Sequence, residues 1–337
     1  GAVLKNITLT NVYIKGDGYT GGLVGRLNSS TVTNCSVEGE VYATYQERTG
    51  GFAGYIGGNS IVENCEANVV VTGKQQVGGF VGEYRPSTSG YIDNCHSEGT
   101  VSGSNEYAGG FVGISVGNIT NSYSASAVTG KNSVGGFAGV VEGKSWEISD
   151  CYSTGAVTGT SDRAGGFVGK INVGNVTQSY STSVVNGKNN VGGFVGYISG
   201  YQYTDGSFGG SVSLSHATGA VTGTGNYIGG FAGGIYVGSA TKVYSTGDVT
   251  GGGYAGGLVG RLQGSSATDG KVENSYSLGN VSGSDRLGGL IGWLNDGDTL
   301  VKNSYSIGSI TGTGSSYLGG LVGGAGNASY STAVVGS

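Results

Sequence analysis

The chain has no methionine, a single proline and two histidines in 337 residues, and only 11% of its residues are charged. Each scarcity removes a class of protein. With 16 basic residues scattered against 21 acidic ones and a formal net charge of −5, there is no basic patch, so nucleic acid is not an expected partner. The histidines, His96 and His216, lie four repeats apart and no H-E-x-x-H pattern exists. Zinc chemistry of the metallopeptidase kind therefore has no ligands, and no metal or cofactor is expected. No apolar run reaches 18 residues and no signal-peptide pattern is present, so membrane insertion is not expected. Nor do apolar residues recur at i, i+3, i+4 and i+7 over any helix-length window, and glycine interrupts every candidate.

What is abundant is glycine, with 74 copies, alongside 22 tyrosines and evenly spread valine, isoleucine and phenylalanine. Such a chain can bury apolar surface, unlike a disordered one. A GG-(Phe/Leu)-x-G signature begins at Gly21 and recurs in ten further steps to Gly319, a mean period of 29.8 residues. Periods of this size denote solenoids or arrays. Two more signatures alternate with it, "VTNCS" at 32–36 and its relatives, and "AVTG" at 127–130, 156–159 and 220–223. Three short, β-branched, glycine-bounded segments per ~30 residues predict an all-β parallel solenoid, a single domain over 1–337 with 11 to 12 coils. Its handedness is expected to be right-handed, by analogy with other large β-helices.

Aligning the repeats assigns inward ranks. One is small (Cys35, Cys65, Cys95, Ser122, Cys151 and onward), one is Val or Ile six residues later without exception, and the glycine signature supplies Phe or Leu. Val32 and Cys35 both point inward although three residues apart, which strict alternation forbids. A left-handed corner residue between them would reset the parity, and Asn34, Asn64, Asn94, Asn121, Asn274 and Asn303 stand in that place. The glycines of the signature are expected to supply positive φ at corners and close backbone approach. The cysteines, in stacked coils and freely exchanged for serine, read as buried free thiols. The next residue outward gives a column of Tyr with His96 and His216, which either stack to cover the sheet or bind sugar.

The pattern "GGFVG...NSYSTGAVTG" resembles the GLUG repeat of bacterial surface and secreted proteins, including IgA1-peptidase-type zinc metalloproteases. The resemblance implies an accessory region outside the cell, on a bacterial surface or secreted, with any peptidase elsewhere in a longer parent. Neither end shows a polar cap, so the chain is expected to be a segment of that parent, monomeric in isolation. Two function classes follow. One is a non-enzymatic stiff stalk or adhesin-like module whose expected partner is a host protein or glycan. The other is a glycan-active β-helix lyase or hydrolase, for which Glu38 with Glu40, Glu63 with Glu66 and Asp93 with Glu98 are the candidate acid pairs.

Insertions suggest where a partner would dock. From the last glycine of the signature to the next inward Val or Ile the spacing runs from 6 to 16 residues, while the opposite connection stays between 7 and 9. Variable loops gather on one edge of a solenoid, often the binding edge. The longest carries Tyr197, Tyr201, Tyr203, Asp205 and Phe208, with Tyr84, Arg85, Trp146 and Trp293 nearby. These nine residues form the candidate partner-binding edge.

Overall fold

The computed structural model describes all residues except 46, 201–209, 266–269, 296, 315–316, 327–331 and 336–337, and no side chain of 47 or 332–335. The chain winds into a parallel β-solenoid of about eleven turns. Three sheets run its length, one of 12 strands, one of 27 and one of 11, and each strand pairs with its counterparts in the coils before and after it. In one coil, Asn175–Thr177 belongs to the first sheet, Tyr180–Ser181, Val185–Gly187 and Asn189–Gly192 to the second, and Val195–Ser199 to the third. The "VTNCS" signature is thus divided between two sheets.

The left-handed corner is where that division falls. Asn34, Asn64, Asn94, Asn121, Asn274 and Asn303 have φ between 48° and 55°, as do Asp150, Gln178 and Lys242 at 49–55° and Leu214 at 51°. The amides form the expected ladder, with Asn94 Nδ2 donating to Asn64 Oδ1 at 2.6 Å and Asn34 to Asn6 at 3.2 Å. The small rank beyond the corner does more than fill space. Ser179 Oγ donates to its own Thr177 carbonyl at 2.8 Å and accepts the Cys151 N–H of the preceding coil at 3.2 Å. Ser122, Ser275 and the cysteines repeat the pattern. The corner leaves a backbone N–H without a ladder partner, and a hydroxyl or thiol supplies one.

The glycine signature works through close approach alone. None of its glycines lies in the left-handed region; the positive-φ glycines are elsewhere, at 39, 58, 99, 143, 174, 210 and 297. Instead, a Cβ on Gly78 would sit 2.0 Å from the Val81 carbonyl oxygen, one on Gly79 2.0 Å from that of Gly110, and one on Gly82 2.6 Å from the backbone of Arg48 and Thr49. The chain folds so tightly at this corner that all three positions exclude a side chain. What the tightness achieves is an inward phenylalanine stack, Phe52 through Phe231, with ring centroids 4.5–4.9 Å apart and every ring fully buried.

The outward column is stacked as well. His96, Tyr123, Tyr152, Tyr180, His216, Tyr244, Tyr276 and Tyr305 form eight consecutive rings at 4.6–5.2 Å, nearly coplanar in tilt. Each ring covers its neighbours' faces, leaving edges to solvent.

Two stability outcomes follow. Phe137→Ala should lose about 3–5 kcal/mol in denaturant melts, the usual penalty for an emptied aromatic site, and the half-exposed Tyr180→Ala markedly less. Equal losses would contradict the inward and outward assignments. Leu214 occupies the left-handed corner with an exposed side chain, where a branched residue costs about 1–2 kcal/mol relative to one that tolerates the conformation. Leu214→Asn should therefore raise stability by about 1 kcal/mol, and a drop would contradict the corner argument.

Candidate functional site

The nine residues of the insertion edge do not assemble into one site. Tyr201, Tyr203, Asp205 and Phe208 lie outside the described residues. Tyr84 is corrected: it is fully buried. Register explains why, because Tyr84 pairs with Ile56 on one side and Ser115 on the other, within an inward rank that continues through Ile171, Ile198 and Leu262. The small Ser115 and the bare Gly117, whose Cβ would lie 2.5 Å from the Tyr84 ring, leave the room it needs. Burial pushes its phenol above the ordinary range, and among the described residues its hydroxyl has no hydrogen-bond partner. Arg85 is exposed at the far end of its strand, donating from Nε to Glu83 Oε1 at 2.9 Å. Trp146 is half-buried in the loop before the first-sheet strand Glu147–Ser149, against Gly143.

Tyr197 and Trp293 do share a place, though on a different part of the coil. Both are outward residues of the third sheet, in a rank that reads Arg26, Tyr55, Glu83, Ile114, Val140, Lys170, Tyr197, Gly234, Arg261, Trp293, Gly324. A second rank, seven residues earlier in each coil, sits on the corner between the second and third sheets: Tyr19, Arg48, Gln76, Tyr107, Ser133, Arg163, Asn190, Tyr227, Tyr254, Arg286, Tyr317. Seven of these corner residues have φ of 51–73°. That geometry turns their side chains toward the third-sheet rank across the bare third glycine, and together the two ranks form a seam along the axis.

Contacts along the seam are between cations and rings. Arg26 lies over Tyr19 and Tyr55 at 5.6 and 5.4 Å, and Arg48 over Tyr19 at 5.1 Å. Further along, Arg163 lies over Tyr197 at 5.9 Å, Arg261 over Tyr227 at 4.3 Å, and Arg286 over Tyr254, Trp293 and Tyr317 at 4.8, 4.3 and 5.1 Å. Among the rings, Tyr227 and Tyr254 stack at 5.4 Å and Tyr254 and Trp293 at 6.0 Å. Arginine over an aromatic face is the favoured cation–π pair.

The seam's composition is not that of the chain. Its 22 positions hold eight aromatic residues, five arginines, one lysine and one acid, Glu83. Overall the chain has more acids than bases and only six arginines, and the sixth, Arg85, is bonded to Glu83 at the seam's margin. Glu83 is nearly sealed and also takes the Arg48 Nε–H, so it is neutralised twice over. Lys170, in mid-seam, has its ammonium held below the usual lysine range by burial and then by Arg163 beside it. Sequence reading missed the seam because it scored inward ranks; the confinement of arginine to positions seven apart was the available sign.

The candidate acid pairs fare differently. Glu63 and Glu66 fall on different sheets, as do Asp93 and Glu98, so neither pair faces one substrate. Glu63 accepts from the Tyr91 hydroxyl at 2.7 Å, Asp93 from Thr120 and Asn121 at 2.6 and 2.8 Å, and Glu66 lies 3.4 Å from His96. Glu38 and Glu40 share one strand and line a shallow groove of about 260 Å³ with Asn68 and Val70. Among the described residues no cluster of three His, Cys, Asp or Glu side chains could hold a metal ion, and no helix is long and apolar enough to cross a membrane. The four cysteines are free and buried.

The fold and its surface define a stacked-coil structural repeat module. Comparison with known proteins names the repeat: a family model of the GLUG motif matches residues 16–42 and 45–72. It is also similar to Halomucin of Haloquadratum walsbyi, 33% identical over 177 residues, which is 46% of this chain and 2% of that protein. The chain thus spans a small fraction of the length of this relative. No solved structure matches it.

Burial pushes the Cys95 and Cys151 thiols well above the ordinary cysteine range, and burial is the leading cause in both. Thiolate is the reactive form. Maleimide labelling of the folded chain at neutral pH should therefore be at least roughly tenfold slower at these two than after denaturation; labelling at the unfolded rate would show that the small rank is open to solvent.

Proposed function

We propose that this chain is a non-enzymatic, extracellular module of a surface or secreted bacterial protein, acting as a stiff stalk or adhesin-like region that holds or presents a partner. The observation that carries the reading is the continuity of the core. Among the described residues the phenylalanine and leucine, valine and small ranks pass from coil to coil in register, the shifts at Leu9–Val12 and Gly103–Glu106 falling between ranks, so the stack resists bending. The GLUG repeat and the similarity to Halomucin support an external structural role. The engagement of Glu63, Glu66 and Asp93 with neighbouring side chains favours this reading over a glycan-cleaving enzyme. A partner among host proteins or glycans belongs to the same proposal.

Small-angle scattering is the direct test. Ten steps of about 4.8 Å between eleven third-sheet strands give a rod of about 48 Å. A compact, isotropic particle would sink the stalk reading, and release of new reducing or unsaturated ends from a polysaccharide panel would move the chain into the enzyme class.

A further inference from the structure

The seam between the second and third sheets is unlike any other surface of the molecule. In a net-acidic chain it gathers five of six arginines and almost no acid, and in its later coils the cations have few counter-charges. Among the described residues Arg163 and Arg261 have no carboxylate partner, and the Arg261 Nε–H is buried without an acceptor. Arg286 keeps one bond, from Nη1 to Asp285 Oδ2 at 2.9 Å, which leaves the rest of its fork unused.

The rings hold these guanidinium groups by their faces, and a guanidinium gripped by its face keeps its N–H groups along the edge, where those not buried or bonded face solvent. That is the orientation for bidentate capture of a carboxylate or sulfate. The bare positions Gly234 and Gly324 extend the platform, because each underlies the ring of the coil before it. A Cβ on Gly234 would lie 2.9 Å from Tyr197, and one on Gly324 2.8 Å from Trp293. Half-exposed rings recur coil after coil, and Trp293 has its own N–H satisfied by Asn295 Oδ1 at 2.8 Å, which leaves its solvent-facing edge with no unmet polar need.

The geometry points to an acidic polysaccharide lying along this seam past Tyr197, Tyr227, Tyr254, Trp293 and Tyr317, its carboxylate or sulfate groups taken by Arg261 and Arg286 and its sugar rings lying against the solvent-facing edges of Trp293 and the adjacent tyrosines. The repeating anion suits a repeating row of donors. A peptide has less to hold here: the strands flanking the seam are paired with coils on both sides, so no free edge offers strand addition. The inference rests on the glycan-partner part of the proposed function and leaves the stalk part independent, since a rod that binds nothing would still scatter as a rod.

The test titrates the intact chain against polygalacturonate and heparin, with dextran as neutral glycan, poly-glutamate as acidic peptide and a dT oligonucleotide. Binding of at least one of the two acidic glycans is expected, and which one binds distinguishes carboxylate from sulfate. Arg261→Gln with Arg286→Gln should weaken that binding at least tenfold and flatten its salt dependence. The inference is overturned if neither acidic glycan binds, if the double variant binds unchanged, if dextran binds as well, or if poly-glutamate or the oligonucleotide binds more tightly. Should the variant fold poorly, the wild-type chain supplies the answer: phenylglyoxal modification mapped by mass spectrometry should show Arg261 and Arg286 protected by the glycan and Arg85 not. Absent or uniform protection overturns the proposal equally.

Discussion

Parallel, in-register stacking is the constraint on which everything else in this molecule depends. Each residue lies about one strand spacing, ~4.8 Å, from its counterpart in the next coil, so every local choice is repeated against itself. Side chains that attract their own kind thrive under this rule. Amides bond to amides at the corner, hydroxyls relay from coil to coil beside it, and rings stack on both sides of the wall. Like charges do not, since two of them at such a separation repel by on the order of 1 to 4 kcal/mol between bulk water and a protein-surface dielectric. The low charge content is a consequence of the architecture. Some charges in adjacent coils meet a partner of opposite sign or kind, as Glu66 does His96 and Arg48 does Glu83, while the like pair Glu63 and Asp93 is held by hydrogen bonds from Tyr91 and from Thr120 and Asn121.

Stacking alone would not close a coil, and closure comes from two unlike corners. At the first, a single left-handed residue shifts the alternation by one, so that Val32 and Cys35 both face inward. At the second, three glycines let backbone pass against backbone, which leaves space for one large ring per coil. The first corner was legible because asparagine advertises the left-handed conformation. The glycine corner was legible as a corner but for a partly mistaken reason, since glycine answers to two different needs, positive φ and the absence of Cβ, and sequence does not separate them. Leu214 and Lys242 show the limit from the other side. They hold left-handed geometry with no sequence preference for it, because nine neighbouring coils in register impose the shape.

The core was readable because inward ranks are chemically uniform. Surface ranks vary, and variation hides adjacency. Tyr84 was misplaced for that reason: one aromatic in an otherwise aliphatic rank looks like a surface residue until Ser115 is seen to yield the volume. Likewise Tyr197 and Trp293 were grouped with the insertions next to them in sequence, although both stand outward within their third-sheet strands. Their true neighbours are seven residues back and around a corner. Nothing in a linear reading links Arg286 to Trp293 until the third glycine is known to leave the gap between the two ranks bare.

The seam also shows how a structure that disfavours charge can still concentrate it. Lysine, a compact point charge on a flexible stem, is spread thinly over the sheets, and in the rank of Lys74, Lys131 and Lys188 an uncharged coil with Ser104 or Thr160 separates each copy from the next. Arginine is a flat cation that can enter a stack as though it were another ring. Interleaved with tyrosine and tryptophan, it obeys the rule that governs the phenylalanine core and the tyrosine column, while the rings between successive guanidinium groups spread and offset their charge. A row of cations is therefore tolerated only in the form of a mixed stack. The same arrangement that makes the row tolerable aims its donors outward, so the surface most distinct in chemistry is built by the interaction that builds the rest.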